Sequence, residues 1–242
     1  MIEKRHVVAL SGGKDSTALA LRLKETVPRD YIYFCTPTGN EPQALVDHWN
    51  RLEHLLGAPI TYVTNGTLVG LIEKFDALPN HRQRWCTRIL KIEPCIAFLA
   101  KVAPAVLYVG LRADEPPEER AGIYGNYAEY RYPLREWGWN LREVLSFLKE
   151  RGVVIPKRTD CKWCFGQRLI EWKRLLLEDP VAYEEAVQLE KKMGHTFRSP
   201  TRDSWPASLA DLRDEFLSGR KVRGEDRAEE NEADQACRVC SL

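Results

Sequence analysis

No stretch of this 242-residue sequence approaches the roughly 18 consecutive apolar residues that a membrane span needs. Its opening, "MIEKRHVVAL", places charges where a signal peptide would carry an apolar segment, so the expectation is a cytoplasmic protein with no membrane partner. An excess of one charge is also missing. Lys and Arg number 36 against 35 Asp and Glu, a formal +1, which excludes a whole surface that attracts nucleic acid and leaves room only for a local basic patch. Internal repeats are absent, and so are the two commonest nucleotide-loop spacings, G-x-x-x-x-G-K-[ST] and G-x-G-x-x-G.

What remains is ordinary for a globular protein: 44% hydrophobic and 29% charged residues, enough to bury one main core. Seven cysteines are present, an odd number, and four of them fall in C-x-x-C pairs, "CKWC" at 161–164 and "CRVC" at 237–240. Without a secretion signal such spacing reads as metal or redox chemistry before structural disulfides.

Short apolar runs alternate with helical periodicity over the first half. Residues 6–11, 30–35, 59–64 and 105–110 read as strands, and 15–26, 43–56 and 87–102 as helices, the last carrying a proline expected to break or kink it. Strands alternating with helices imply right-handed crossovers and an α/β fold, a mostly parallel sheet with helices on both faces. Beyond about residue 135 only helices are expected, at 140–152, 166–179 and 181–194, and the charged stretch from 218 reads as a solvated tail. The domain division is therefore 1–135, 136–217 and 218–242.

In such sheets ligands bind beyond the carboxyl ends of the strands. "SGGKDS" (11–16) sits at one such end. Glycines let the backbone approach an anion, and the next helix aims its amide hydrogens at it. On residue types, Ser11, Ser16 and Thr17 offer hydroxyls, Gly12 and Gly13 amides, Lys14 a positive charge and Asp15 a magnesium ligand. The bland alternative is a glycine turn with a Ser or Asp helix cap.

The hexapeptide resembles the pyrophosphate loop (PP-loop) of the adenylating ATP pyrophosphatases, and further segments are similar to the phosphoadenosine phosphosulfate (PAPS) reductase branch: "TPTGNEP" (36–42), "WCTRILKIEP" (85–94), "GLRADEPPEER" (110–120) and "YPLREWGWNLREVLSFLKERGV" (132–153). The resemblance covers roughly residues 5–170 and implies an adenine nucleotide alpha hydrolase-like, Rossmann-like fold that binds ATP with Mg2+. It further implies that Arg88, Lys91, Arg112 and Arg120 meet phosphate or sulfate oxygens, that Asp114 is a second metal ligand, that Gly110 joins the nucleotide site, and that Thr38 and Gly39 lie beside the nucleoside. Lys14, Asp15, Arg112, Asp114 and Arg120 carry the catalytic expectation. Each arginine has the alternative of a surface ion pair.

In iron–sulfur members of this branch, cysteines at the "WCTR" position and a later C-x-x-C hold a four-iron cluster. Here that implies Cys86, Cys161 and Cys164 as ligands, with Cys95, Cys237 or Cys240 for the fourth place. A Zn2+ site built from the two C-x-x-C pairs and a redox role for the terminal pair stay open beside it. Cys35, inside a strand, reads as a small buried hydrophobe.

Two departures matter. The E-C-G-[LI]-H segment of the sulfonucleotide reductases is missing, and the phosphate loop those reductases usually carry in degenerate form is intact here. Both point towards an enzyme that releases pyrophosphate from ATP and adenylates an acceptor, a nucleic acid or a small molecule, for sulfur transfer with a sulfur-donor or electron-donor protein as partner. A sulfonucleotide reductase, a sulfate adenylyltransferase-like enzyme and a non-catalytic nucleotide- or nucleic-acid-binding subunit with a structural metal are the alternatives.

Overall fold

The computed structural model describes residues 3–116 and 126–225. Five parallel strands form one sheet in the order β3-β2-β1-β4-β5: β1 Arg5–Ala9, β2 Tyr31–Cys35, β3 Ile60–Tyr62, β4 Ala105–Tyr108 and β5 Ala128–Arg131. The sequence reading contains the first four and misses β5. "AEYR" carries no apolar run, because β5 is an edge strand whose side chains are alternately half-buried and exposed.

Alternation along β1 divides the layers. Val8 and Leu10 face one side with α1 (Lys14–Thr26), α2 (Gln43–Leu56) and α7 (Leu141–Glu150), while Val7 faces the other side with α5 (Glu93–Val102). Both faces of the central strands are thereby buried, as right-handed crossovers in a parallel sheet require.

The expected helix at 87–102 is one continuous coil from Trp85 with a change of pitch: α4 (Trp85–Thr87), a π-helical stretch Arg88–Ile92, then α5 opening on Glu93 and Pro94. Pro94 cannot donate the hydrogen bond that an α-helix asks of it, and its ring crowds the carbonyl four residues earlier. The wider π-turn relieves both demands without ending the helix.

A third core lies beyond the sheet. α8 (Leu169–Glu178), α9 (Pro180–Met193) and α10 (Leu209–Leu217) enclose Trp172, Tyr183 and Phe197, and α3 (Leu68–Phe75) from the first half contributes Leu68, Leu71 and Ile72 to the same cluster. A four-residue helix, α6 (Pro133–Glu136), links β5 to α7. Contrary to the expected solvated tail, the charged stretch begins as packed chain: Val222 is buried in this third core and Glu225 pairs with Lys173. Residues 226–242 lie outside the described residues.

Candidate nucleotide-binding site

The loop between β1 and α1 is shaped by its neighbours. Gly12 has φ +83°, and a Cβ there would stand 2.6 Å from Trp49 Nε1 and 2.7 Å from Leu45 Cδ1, so only glycine lets the backbone turn against α2. Trp49 Nε1 donates to Ser11 O at 3.1 Å and holds the turn. Ser16 donates to Gly13 O (3.1 Å), the hydroxyls of Ser11 and Ser16 are 3.0 Å apart, and Gly13 N–H donates to Ser11 Oγ (3.3 Å). Gly13 caps α1 without a side-chain hydrogen bond, so no cap side chain occupies the first amides of the helix.

This loop opens onto a cavity of about 630 Å³ at the carboxyl ends of the strands, a volume suited to a small ligand. Ser11, Gly13, Lys14, Asp15, Ser16 and Gly110 line it, together with Lys91, Cys95 and Cys161. Gly12 and Thr17 sit behind it. Thr17 is fully buried, and its hydroxyl lies 3.4 Å from Nε2 of His48, whose pKa burial lowers to about 4.

Arg112 joins the two carboxylates expected to hold metal. Its Nη1 donates to both oxygens of Asp15 (3.1 and 3.0 Å) and its Nε to Asp114 (2.9 Å), while Lys14 Nζ stands 4.0 Å from Asp15. Burial pushes the Asp15 carboxyl up, against the pull of Lys14 and Arg112. Burial also works against the Arg112 charge, but Asp15 and Asp114 outweigh it and hold the guanidinium pKa above its ordinary value. Arg112 thus ties Asp15 in place from outside the cavity wall, which it does not itself line. Asp114 lies outside the cavity wall, where Glu115 stands instead and accepts from Arg112 N–H at 2.8 Å.

Several expected contacts are corrected by geometry. Lys91 faces the cavity with Thr87 and Cys95, at intervals of four residues along the helix, whereas Arg88 lies on another side of it, largely exposed, 3.6 Å from Glu93. Thr38 and Gly39 do not line the cavity; Thr36 and Glu41 do. Thr38 is buried and spends its backbone N–H (2.6 Å) and hydroxyl (2.7 Å) on Glu41 Oε1, and Gly39, at φ +72°, turns against Thr67. Arg120, Cys237 and Cys240 lie outside the described residues.

The cysteines are likewise separated in role. Cys161 lines the cavity with its Sγ 3.2 Å from Thr38 Oγ1; Cys164 is buried; Cys86 packs beside the third core; Cys95 lies under the sheet. Among the described residues no group of three His, Cys, Asp or Glu side chains is placed to hold a metal ion. Cys237 and Cys240, two of the three residues expected for a fourth cluster ligand, are not among those residues. Helix packing governs Cys86, and the docking of the 161–167 turn on the β2–α2 loop, through Lys162 N–H to Asn40 O (2.8 Å), governs the pair. Glu41 and Thr87 line the cavity from within the quoted segments without having been singled out, and Trp49, Arg158 and Thr159 line it with no motif to announce them.

The model of the phosphoadenosine phosphosulfate reductase domain matches residues 5–157. The chain belongs to this family, whose members are enzymes acting on sulfonucleotides or ATP, and has its nucleotide-binding PP-loop fold. An uncharacterized protein of Methanocaldococcus jannaschii is 24% identical over 200 residues, 76% of this chain and 41% of its own length. Argininosuccinate synthase of Bacillus cytotoxicus is 38% identical over 74 residues, 26% of this chain and 18% of its own length. The chain thus spans less than half of either curated relative. The crystal structure of PAPS reductase from Candida auris, a phosphate complex, superposes with a TM-score of 0.52 at 13% identity, over 63% of this chain and 75% of that one. That likeness is one of fold. Among the described residues no helix is long and apolar enough to cross a membrane.

Proposed function

We propose that this chain binds ATP and transfers its adenylyl group to an acceptor oxygen with release of pyrophosphate. One observation carries the reading: Lys14, Asp15, Ser11, Ser16 and the uncapped start of α1 converge on a single cavity at the carboxyl ends of the parallel strands. The acceptor oxygen attacks the α-phosphorus, the bond from that phosphorus to the bridging oxygen breaks, and pyrophosphate leaves with the bonding pair. The helix amides and Lys14 would bind the β- and γ-phosphates and meet the negative charge that grows on the leaving group.

Magnesium fits this site. It is commonly held by one or two carboxylates plus substrate phosphates, and Asp15 lines the cavity beside the phosphate loop. Bound there, the ion would neutralise phosphate charge. No step is assigned to an iron–sulfur cluster. Thiolation of the activated acceptor extends the same reading: hydrosulfide from a sulfur donor would attack the adenylated carbon, the bond from that carbon to oxygen would break and AMP would leave, and Cys161 stands on the cavity wall.

The test is incubation of the full chain with Mg2+, cell extract and ATP labelled in separate samples on the α- and γ-phosphates. Labelled pyrophosphate from the second sample and an AMP-bearing acceptor from the first are expected. Release of orthophosphate and ADP instead would refute the reading. A second reading, reduction of a sulfonucleotide, draws on the likeness of fold to the PAPS reductase. Sulfite release from PAPS with a dithiol reductant would favour it.

A further inference from the structure

The chain between α7 and α8 crosses the cavity instead of following the surface around it. Every residue from Gly152 to Cys161 lines the cavity, although none belongs to a helix or strand. The segment is tied at both ends. Val153 N–H donates to Leu148 O (3.0 Å) at the start, and Lys162 N–H to Asn40 O and Trp163 N–H to Asn40 Oδ1 (3.2 Å) hold the finish. Between these ties the chain forms a strap over the phosphate loop, with Val154 on its outer side 77% exposed.

Two strap residues bear on the site, Thr159 against the loop itself and Arg158 on the cavity wall. Thr159 Oγ1 lies 3.7 Å from where a Cβ on Gly13 would stand, so its hydroxyl faces the backbone that caps α1. Arg158 lines the same cavity; its Nη2 donates to Cys161 O, but its Nε is shut away from water with no hydrogen-bond partner. A buried guanidinium N–H without an acceptor is costly unless a ligand supplies one.

We propose that Thr159 and Arg158 are phosphate-binding residues: the strap closes the loop from above, with the Thr159 hydroxyl and the Arg158 Nε–H donating to the terminal phosphates of the nucleotide. This rests on the reading of the loop as a polyphosphate site and adds the half of that site which the motif lacks. It also gives the strap a role in the reaction, since pyrophosphate held by both loop and strap leaves only when the strap lets go.

The experiment uses binding instead of turnover. Affinities for magnesium pyrophosphate and for AMP are measured calorimetrically with the full chain and with its Thr159→Val and Thr159→Ser variants. Valine keeps the shape of threonine and removes the hydroxyl; serine restores it. Loss of one hydrogen bond to a charged group corresponds to a roughly ten- to hundredfold weaker complex. Thr159→Val is expected to weaken pyrophosphate by that factor, Thr159→Ser to recover most of it, and AMP to bind all three alike. Equal pyrophosphate affinity in the valine variant overturns the inference. So does a parallel loss for AMP, which would mark Thr159 as a packing residue. Failure of the unaltered chain to bind pyrophosphate would instead overturn the assignment of the loop, and the strap's role with it.

Discussion

Gly110 tests the construction of the site most directly, because its reason for being glycine is purely spatial. A Cβ there would stand 2.9 Å from Ser16 N, 3.0 Å from the Asp15 carbonyl carbon and 3.1 Å from Ser16 Cα. All three atoms are backbone, so no side chain can swing aside. Ordinary contact begins near 3.4 Å, so Gly110→Ala must push the first turn of α1 away from β4 by about three to five tenths of an ångström. Overpacking of this kind costs about 1–3 kcal/mol. For a chain of this size the melting temperature should fall by roughly 2–12 °C. The displaced atoms are the ones proposed to meet phosphate, so pyrophosphate affinity should drop by about tenfold as hydrogen bonds lengthen. Differential scanning fluorimetry and calorimetric titration read the two effects. A Gly110→Ala variant with unaltered melting temperature and affinity would refute the claim that close approach of β4 positions the loop.

Three further outcomes are expected. Asp15→Asn should lower pyrophosphate release by about a hundredfold or more while the folded state survives; undiminished release in the labelled-ATP assay removes Asp15 from the metal role. Glu190, whose carboxylate accepts from Phe197 N–H (2.9 Å) and Leu209 N–H (2.7 Å), is pushed up to about 7 by burial. Between about pH 4.5 and 7 the folded chain therefore holds a proton that the unfolded chain has released, so this contribution is complete below pH 4.5 and is lost as pH rises through 7. Because His48 pulls the other way at acid pH, the measurement is the difference in melting temperature between the protein and Glu190→Gln. That difference should shrink from pH 5 to pH 8, and a growing difference refutes the sign. In thiol labelling, Cys35 and Cys95 should resist iodoacetamide at pH 8, both buried with raised thiol pKa values, that of Cys95 about 12. Cys161 should be modified and then protected by bound nucleotide, which mass spectrometry of the peptides resolves; labelling indifferent to nucleotide would take Cys161 out of the cavity wall.

The parts of the molecule legible in the sequence are those where local chemistry and tertiary role coincide. "HVVALS" runs into glycines because the bend that stops the strand turns close against α2, and α2 runs over the predicted 43–56 because its apolar spacing matches the face that meets the sheet. β5 was not legible, since an edge strand needs no continuous apolar run. Nor was the difference between Arg88 and Lys91: both are basic residues in one motif, and only the helical angle between them sends one to solvent and the other to the cavity. The arginine fork of Arg112 is expected on phosphate and is found on two carboxylates: Asp114 is its near neighbour in sequence, but the pairing with Asp15 spans 97 residues and leaves no trace in local spacing. Thr159 and Arg158 had no signal at all. Their role comes from the path of the strap, which is fixed by anchors on Asn40 and Leu148.

The position of α3 sets a limit on how this chain can be divided. It lies between β3 and α4 in sequence, yet Leu68, Leu71 and Ile72 complete a core supplied chiefly by α8, α9 and α10. The stretch that defines the family ends at residue 157, and a fragment cut there would present those side chains, with Leu78 and Leu90, to water. The recognisable module is thus not a folding module. Exchange of the helical cap would have to take the α3 segment with it, and any graft of the sheet domain onto another scaffold would have to bring its cap along.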